Sequence, residues 1–216
     1  MIFSSVQNPA PEIRALPAVA VDMGFSKANG RSTGFATTHE GYNGLPRRVD
    51  VNDGIWHSNL TFGEAIEQTS GVFRCLLPHV ESVLIVEAPL SESFDCEGNP
   101  KSRGEFEDAM PWYRGAGALT ALAGCYFLTK LLEEIGDLEG TIHLVEGFVT
   151  GHASGNHRCV AMDLVRKWQE GERLIEPQSL LLSFLALPPD CAVPWVLICE
   201  DQSPKRLPRQ RTPSEA

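Results

Sequence analysis

Residues 82–89 read SVLIVEAP, and the fold turns on them. Val83, Leu84, Ile85 and Val86 form a near-continuous apolar run, suited to a central strand buried on both faces. The run ends at Glu87, so a carboxylate sits where a buried strand meets its edge. Two other stretches repeat the design. AVAVDMG ends an apolar run at Asp22, and IHLVEGF ends one at Glu146. A fourth acid, Asp163 in HRCVAMDLV, lies on a helical pattern shortly after the third run.

Upstream of this strand, Thr61 with Glu64 three residues later matches a capping box, and Ile66, Val72 and Leu76 or Leu77 follow along one helical face up to Pro78. Pro17–Phe25, Ser32–Thr38 and Gly54–Leu60 read as three antiparallel strands. The glycine-, proline- and arginine-containing stretch 41–52 reads as a loop. Residues 1–16 read as a loose leader.

Downstream, Ser91–Ser102 is a polar loop, and a long helix is expected from Trp112 to Glu134. Gly117, Ala121 and Gly124 recur at i, i+4 and i+7, a stripe that suits close packing against a sheet. RGAGAL lacks the Lys-Ser/Thr ending of a phosphate loop. Thr141–Phe148 is a further strand. Ser154 or Asn156 caps a helix through Trp168, with Val160, Ala161, Leu164, Val165 and Trp168 on its apolar face. Trp195–Cys199 reads as a last strand. These elements predict an α/β fold with a mixed sheet: three antiparallel N-terminal strands, then βα units, with helices on both faces. One domain is expected over residues 17–200, followed by a disordered basic tail, 201–216, holding Lys205, Arg206, Arg209 and Arg211.

The chain has 216 residues, 43% hydrophobic, enough for a sizeable core. No apolar run approaches the ~18 residues of a membrane span, and the N-terminus lacks the pattern of a secretory signal. Six cysteines without any C-x-x-C pair fit buried free thiols in a reducing compartment, so a cytoplasmic protein is expected. A net charge of −10 argues against a broad electrostatic grip on nucleic acid. It still allows clustered carboxylates neutralised by cations. Such carboxylates are hard ligands suited to Mg²⁺ or Mn²⁺, and these ions can clamp both oxygens of a phosphodiester undergoing displacement.

Asp22 on the first strand, Glu87 followed by Ala88-Pro89, Glu146 ending a later strand, and Asp163 after His157 form an ordered set over roughly residues 18–168. That set resembles the ribonuclease H-like superfamily, and within it the predicted RNase H-like nucleases. The resemblance implies an RNase H-like sheet and a metal-dependent phosphodiester hydrolase acting on nucleic acid or a nucleotide. It implies Asp22, Glu87 and Asp163 as metal ligands, with Asp22 bridging, and Glu146 or His157 positioning water or shuttling a proton. The chain departs from the family pattern in three places. Glu87 stands where Asp is frequent, Gly147-Phe-Val replaces a proline-bearing segment, and the late helix carries one acid instead of a pair.

Two other readings compete. Asp22-Met-Gly-Phe-Ser-Lys27 also resembles the phosphate-binding hairpin of actin-like and sugar-kinase phosphotransferases, whose two lobes this chain is too short to build. A catalytically inactive interaction module on the same scaffold is the other.

Overall fold

The chain forms strands where its apolar runs are β-branched and helices where they take helical spacing. The computed structural model describes residues 2–4, 11–23, 33–42, 45–48, 55–90, 94–102, 111–150, 157–171, 174–175 and 195–200. In chain order the elements are β1 (Ile2–Ser4), α1 (Pro11–Arg14), β2 (Ala18–Asp22), β3 (Thr33–Thr37), β4 (His39–Tyr42), β5 (Leu45–Arg48) and β6 (Ile55–Leu60). They continue with α2 (Phe62–Leu76), β7 (Ser82–Glu87), α3 (Gly115–Ile135), β8 (Thr141–Thr150), α4 (His157–Glu170), β9 (Leu174–Ile175) and β10 (Trp195–Glu200).

Eight strands make one mixed sheet in the order β6-β3-β2-β7-β8-β10-β9, with β1 also on β8. The β6–β3 and β3–β2 pairs are antiparallel, while β2–β7, β7–β8 and β8–β10 are parallel. Strand β8 is long because its outer edge serves two partners. Its first residues pair with β1 (Ile2↔Thr141 to Ser4↔His143) and its later ones with β10 (Trp195↔Val145 to Glu200↔Thr150).

Successive side chains of a strand point to opposite faces, and here both faces are covered. Val19, Val21, Leu84, Val86, Ile142 and Leu144 face α2 and α3, packing with Phe73, Phe127, Leu128 and Leu131. Ala18, Ala20, Val83, Ile85 and Val145 face α4, beneath Ala161, Leu164, Val165 and Trp168. Small alanines on the second face let α4 approach closely. On the first face, Gly124 of α3 does the same: a Cβ built there would lie 2.7 Å from the Ala88 Cβ. Gly124 thus packs closely, as the stripe's spacing predicts, while Ala121 sits beside Trp112 and Cys125.

Helix α2 begins with the expected reciprocal cap. Thr61 Oγ1 accepts from the Glu64 amide, and the Thr61 amide donates to Glu64 Oε2 at 2.8 Å.

Several expectations need correction. The segment read as a loose leader contains β1 and α1. Ile13 and Leu16 pack beside α4, and Arg14 Nη1 donates to the Trp168 carbonyl at 3.1 Å. Scattered apolar residues among prolines give no periodic signal, yet Ile13 and Leu16 are half-buried against this core. Residues within the expected loop 41–52 instead form a ribbon, in which β4 pairs antiparallel with β5 (His39↔Arg48 to Tyr42↔Leu45). Helix α3 has the length and composition of a membrane span, with mean hydropathy 1.3 over its most apolar 18-residue window, half of it buried. The interruption of its apolar residues by Gly, Ala and Thr hides this from a search for unbroken runs. The tail 201–216 and the apolar stretch 180–187 lie outside the described residues.

Candidate active site

Asp22 and Glu87 close the C-terminal ends of β2 and β7, which are parallel neighbours in register: Ala20 pairs with Ile85, Val21 with Val86 and Asp22 with Glu87. Asp22 shares its face with Ala18 and Ala20, and Glu87 shares its face with Val83 and Ile85. Both acids thus project to the α4 side. In-register residues on adjacent strands lie close enough for side-chain contact, and the two carboxyl groups are hydrogen-bonded to each other. Asp22 is buried and Glu87 half-buried.

Two carboxylates cannot hydrogen-bond unless one carries a proton. Burial pushes the Glu87 carboxyl well above the ordinary carboxylate range, and the charge of Asp22 and the hydrogen bond to it push the same way. Glu87 therefore keeps its proton to higher pH than a surface glutamate would. A divalent cation placed between the two carboxyl groups would take the place of that proton and offset the like charges. The donor set is all carboxylate, which fits a hard ion held by one or two protein carboxylates with water or phosphate completing the shell. Among the described residues, no group of three or more His, Cys, Asp or Glu side chains is gathered for a metal.

Glu146 takes the other side of the sheet. It pairs in register with Val86, and its parity is that of Ile142 and Leu144, which face α3. It is fully buried there, and its charge adds to burial in pushing the Cys125 thiol up to about 11. The residue next to Glu146 that does face α4 is Gly147. A Cβ at that position would meet Leu164 Cδ2 at 2.6 Å and Ile85 Cγ2 at 3.1 Å. So β8 contributes no acid on the α4 side beside Glu87; Leu164 fills the space.

Asp163 lies on α4, half-buried, and its Oδ1 accepts from Arg166 Nη2 at 2.6 Å. His157 is the first residue of α4, and its side chain falls outside the described residues, as do residues 24–32 with Ser26, Lys27 and Arg31. The structure therefore brings together Asp22 and Glu87 and turns Glu146 away from them.

A contact that spacing did not suggest lies at the start of the same strands. His143 Nε2 is 2.9 Å from Glu81 Oε2, one residue before β7. The only signal available was parity, since His143, Val145 and Gly147 share a face.

Among the described residues Cys75, Cys96 and Cys125 are free thiols. Comparison of the chain with protein-family models, with curated proteins and with solved structures finds no match.

Proposed function

We propose that this chain is a metal-dependent phosphodiester hydrolase on an RNase H-like sheet, with Asp22 and Glu87 as its cation-binding carboxylates. The strand order β6-β3-β2-β7-β8, antiparallel in its first two pairs and parallel after them, supports the fold assignment. The observation that carries the function is the hydrogen-bonded Asp22–Glu87 pair at the ends of two parallel strands. A structural role alone would not favour two acids sharing a buried position, because apolar or amide side chains would fill it without like-charge repulsion.

Asp22 and Glu87 would hold the ion, and the proton retained by Glu87 would be released to solvent when it binds. Mg²⁺ or Mn²⁺ held there supplies Lewis acidity for a phosphoryl oxygen and lowers the pKa of bound water. Asp22, the more buried of the two, fixes the position. Glu87, with its half-buried flank, faces the side from which substrate arrives. Asp163 is the candidate third ligand from α4, and engaging it requires its ion pair with Arg166 to open. His157 at the start of the same helix is the candidate proton carrier. Glu146, on the opposite face, has no part in this chemistry.

Calorimetric titration with Mn²⁺ tests the proposal. The wild type should bind and release protons, seen as a heat that varies with buffer ionisation enthalpy, while Asp22→Asn and Glu87→Gln should not bind. Hydrolysis of a mixed panel of RNA, DNA and dinucleotide substrates should follow the same ranking. No binding by the wild type, or equal binding by all three proteins, would sink the assignment.

A further inference from the structure

Helix α3 has a second apolar face, which the other described residues leave uncovered. Leu119, Leu122 and Tyr126 are 62%, 67% and 55% exposed. They belong to a longer row: Gly115, Leu119, Leu122, Tyr126, Thr129 and Glu133 are all partly or wholly exposed, and they alternate steps of four and three along the helix. That is the 3.5-residue repeat with which one helix presents a straight seam to another. The seam is polar only at its C-terminal end.

We propose that this face joins two copies of the chain, α3 against α3, antiparallel about a two-fold axis at the level of Gly124. In that register the seam is its own complement. Leu122 meets Tyr126 of the second copy, Leu119 meets Thr129, and Gly115 meets Glu133, each pairing occurring twice, as a two-fold interface demands. Charge favours the same arrangement. The helix starts at Arg114 without a side-chain cap, has no acid in its first turn and no base in its last, and ends with Glu133 and Glu134. Taken alone, these charges oppose the helix dipole. An antiparallel copy brings Glu133 to the free amide groups at Gly115 and sets Glu134 beside Arg114, so both ends find the opposite sign. Lys130, paired with Glu133 at 2.6 Å and 6.0 Å from the Tyr126 ring centroid, closes the flank of the seam.

A parallel pair would set Arg114 beside Arg114 and Glu133 beside Glu133, so charge selects the antiparallel one. The opposite side of α3 is locked into the core through Phe127, Leu128 and Leu131, so the helix cannot leave for a bilayer without unfolding the sheet. One helix pair buries less than the roughly 800 Å² per partner of a standard interface, so the dimer is weak, roughly micromolar. None of this depends on the carboxylate pair or on its chemistry.

Sedimentation velocity of the full chain from about 1 to 300 µM should show a concentration-dependent shift from monomer to dimer. Leu122→Glu should weaken association at least about tenfold, as loss of a central apolar contact does. Circular dichroism should be unchanged, because Leu122 is solvent-exposed. In a Cys96→Ser background, the double variant Leu122→Cys/Tyr126→Cys should form a cross-linked dimer on mild oxidation, while either single variant should form far less. A wild type that stays monomeric throughout the range overturns the proposal. So does a dimer indifferent to Leu122→Glu and without the 122–126 cross-link. Flotation of monomeric protein with phosphatidylcholine–phosphatidylglycerol vesicles, lost in Leu122→Glu, would assign the face to a membrane and also overturn it.

Discussion

Asp22 and Glu87 are in-register neighbours on parallel strands, and burial together with the adjacent Asp22 raises the Glu87 carboxyl above the ordinary carboxylate range. The pair sets a pH dependence whose sign is fixed. Glu87 is held above its ordinary value near 4.5, so the folded state binds this proton more tightly than the unfolded chain does. Its contribution is complete below the ordinary value and is lost as pH rises through the raised one. Without added cation, thermal stability should fall as pH rises out of the ordinary carboxylate range and through the raised value. Glu87→Gln should flatten that part of the curve, because an amide donates to Asp22 at every pH. Melting curves of the two proteins across the range check this; parallel curves would contradict it.

Cation should reverse the loss. If Mn²⁺ replaces the proton retained by Glu87, the melting temperature at about pH 8 should rise with its concentration. Saturation at a hundredfold excess over Kd corresponds to roughly 2.7 kcal/mol. Asp22→Asn should abolish the rise, and differential scanning fluorimetry with a chelator control measures it.

Gly124→Ala should destabilise the protein by about 1–3 kcal/mol, the usual range for overpacking. The added Cβ would lie 2.7 Å from the Ala88 Cβ, an atom fixed to the backbone, so α3 itself has to move off the sheet. Urea denaturation measures the change. Ala88→Gly in the same chain should recover part of it, which a simple change of helix propensity would not predict.

Thr61→Ala should cost about 1 kcal/mol by removing the acceptor for the Glu64 amide at the start of α2. Thr61→Ser keeps that oxygen and should cost much less. Chemical denaturation of both variants separates the cap from the lost methyl group.

Thiol reactivity should divide the cysteines. Cys125 lies on the buried side of α3 with its thiol pushed up to about 11, by burial first and by Glu146 second. It stays protonated at pH 8 and should resist alkylation in the native protein, while exposed Cys96 reacts quickly. Peptide mapping after brief iodoacetamide treatment reads both. Modification of Cys125 at the rate of Cys96 would show that α3 opens readily.

What the amino-acid order revealed follows from contrast. SVLIVEAP and TIHLVEGF stand out as buried strands against polar surroundings, and Thr61 with Glu64 marks a helix start by chemistry that acts within one turn. The meeting of Asp22 and Glu87 was legible for the same reason, since each closes such a run. The position of Glu146 was not. In a strand buried on both sides, neighbouring residues are equally apolar, so no polar alternation tells which face a terminal acid takes. Only the register with Val86 decides it. Three residues, Ile2–Ser4, carry no period at all, and their strand exists because β8 offers them an edge. The β4–β5 ribbon had a usable signal in Asn43-Gly44, a dipeptide favoured in tight hairpins, which the surrounding glycine, proline and arginine content obscured.

The division of the β8 edge between Ile2–Ser4 and Trp195–Glu200 sets an order of assembly. Strand β1 has no seat until Thr141–His143 has been made, and the neighbouring places wait for Trp195 onward. Completion of this sheet is therefore a late event that joins segments far apart in the chain, and ties of such long range slow folding. A short N-terminal deletion should consequently loosen a strand encoded in the second half of the protein.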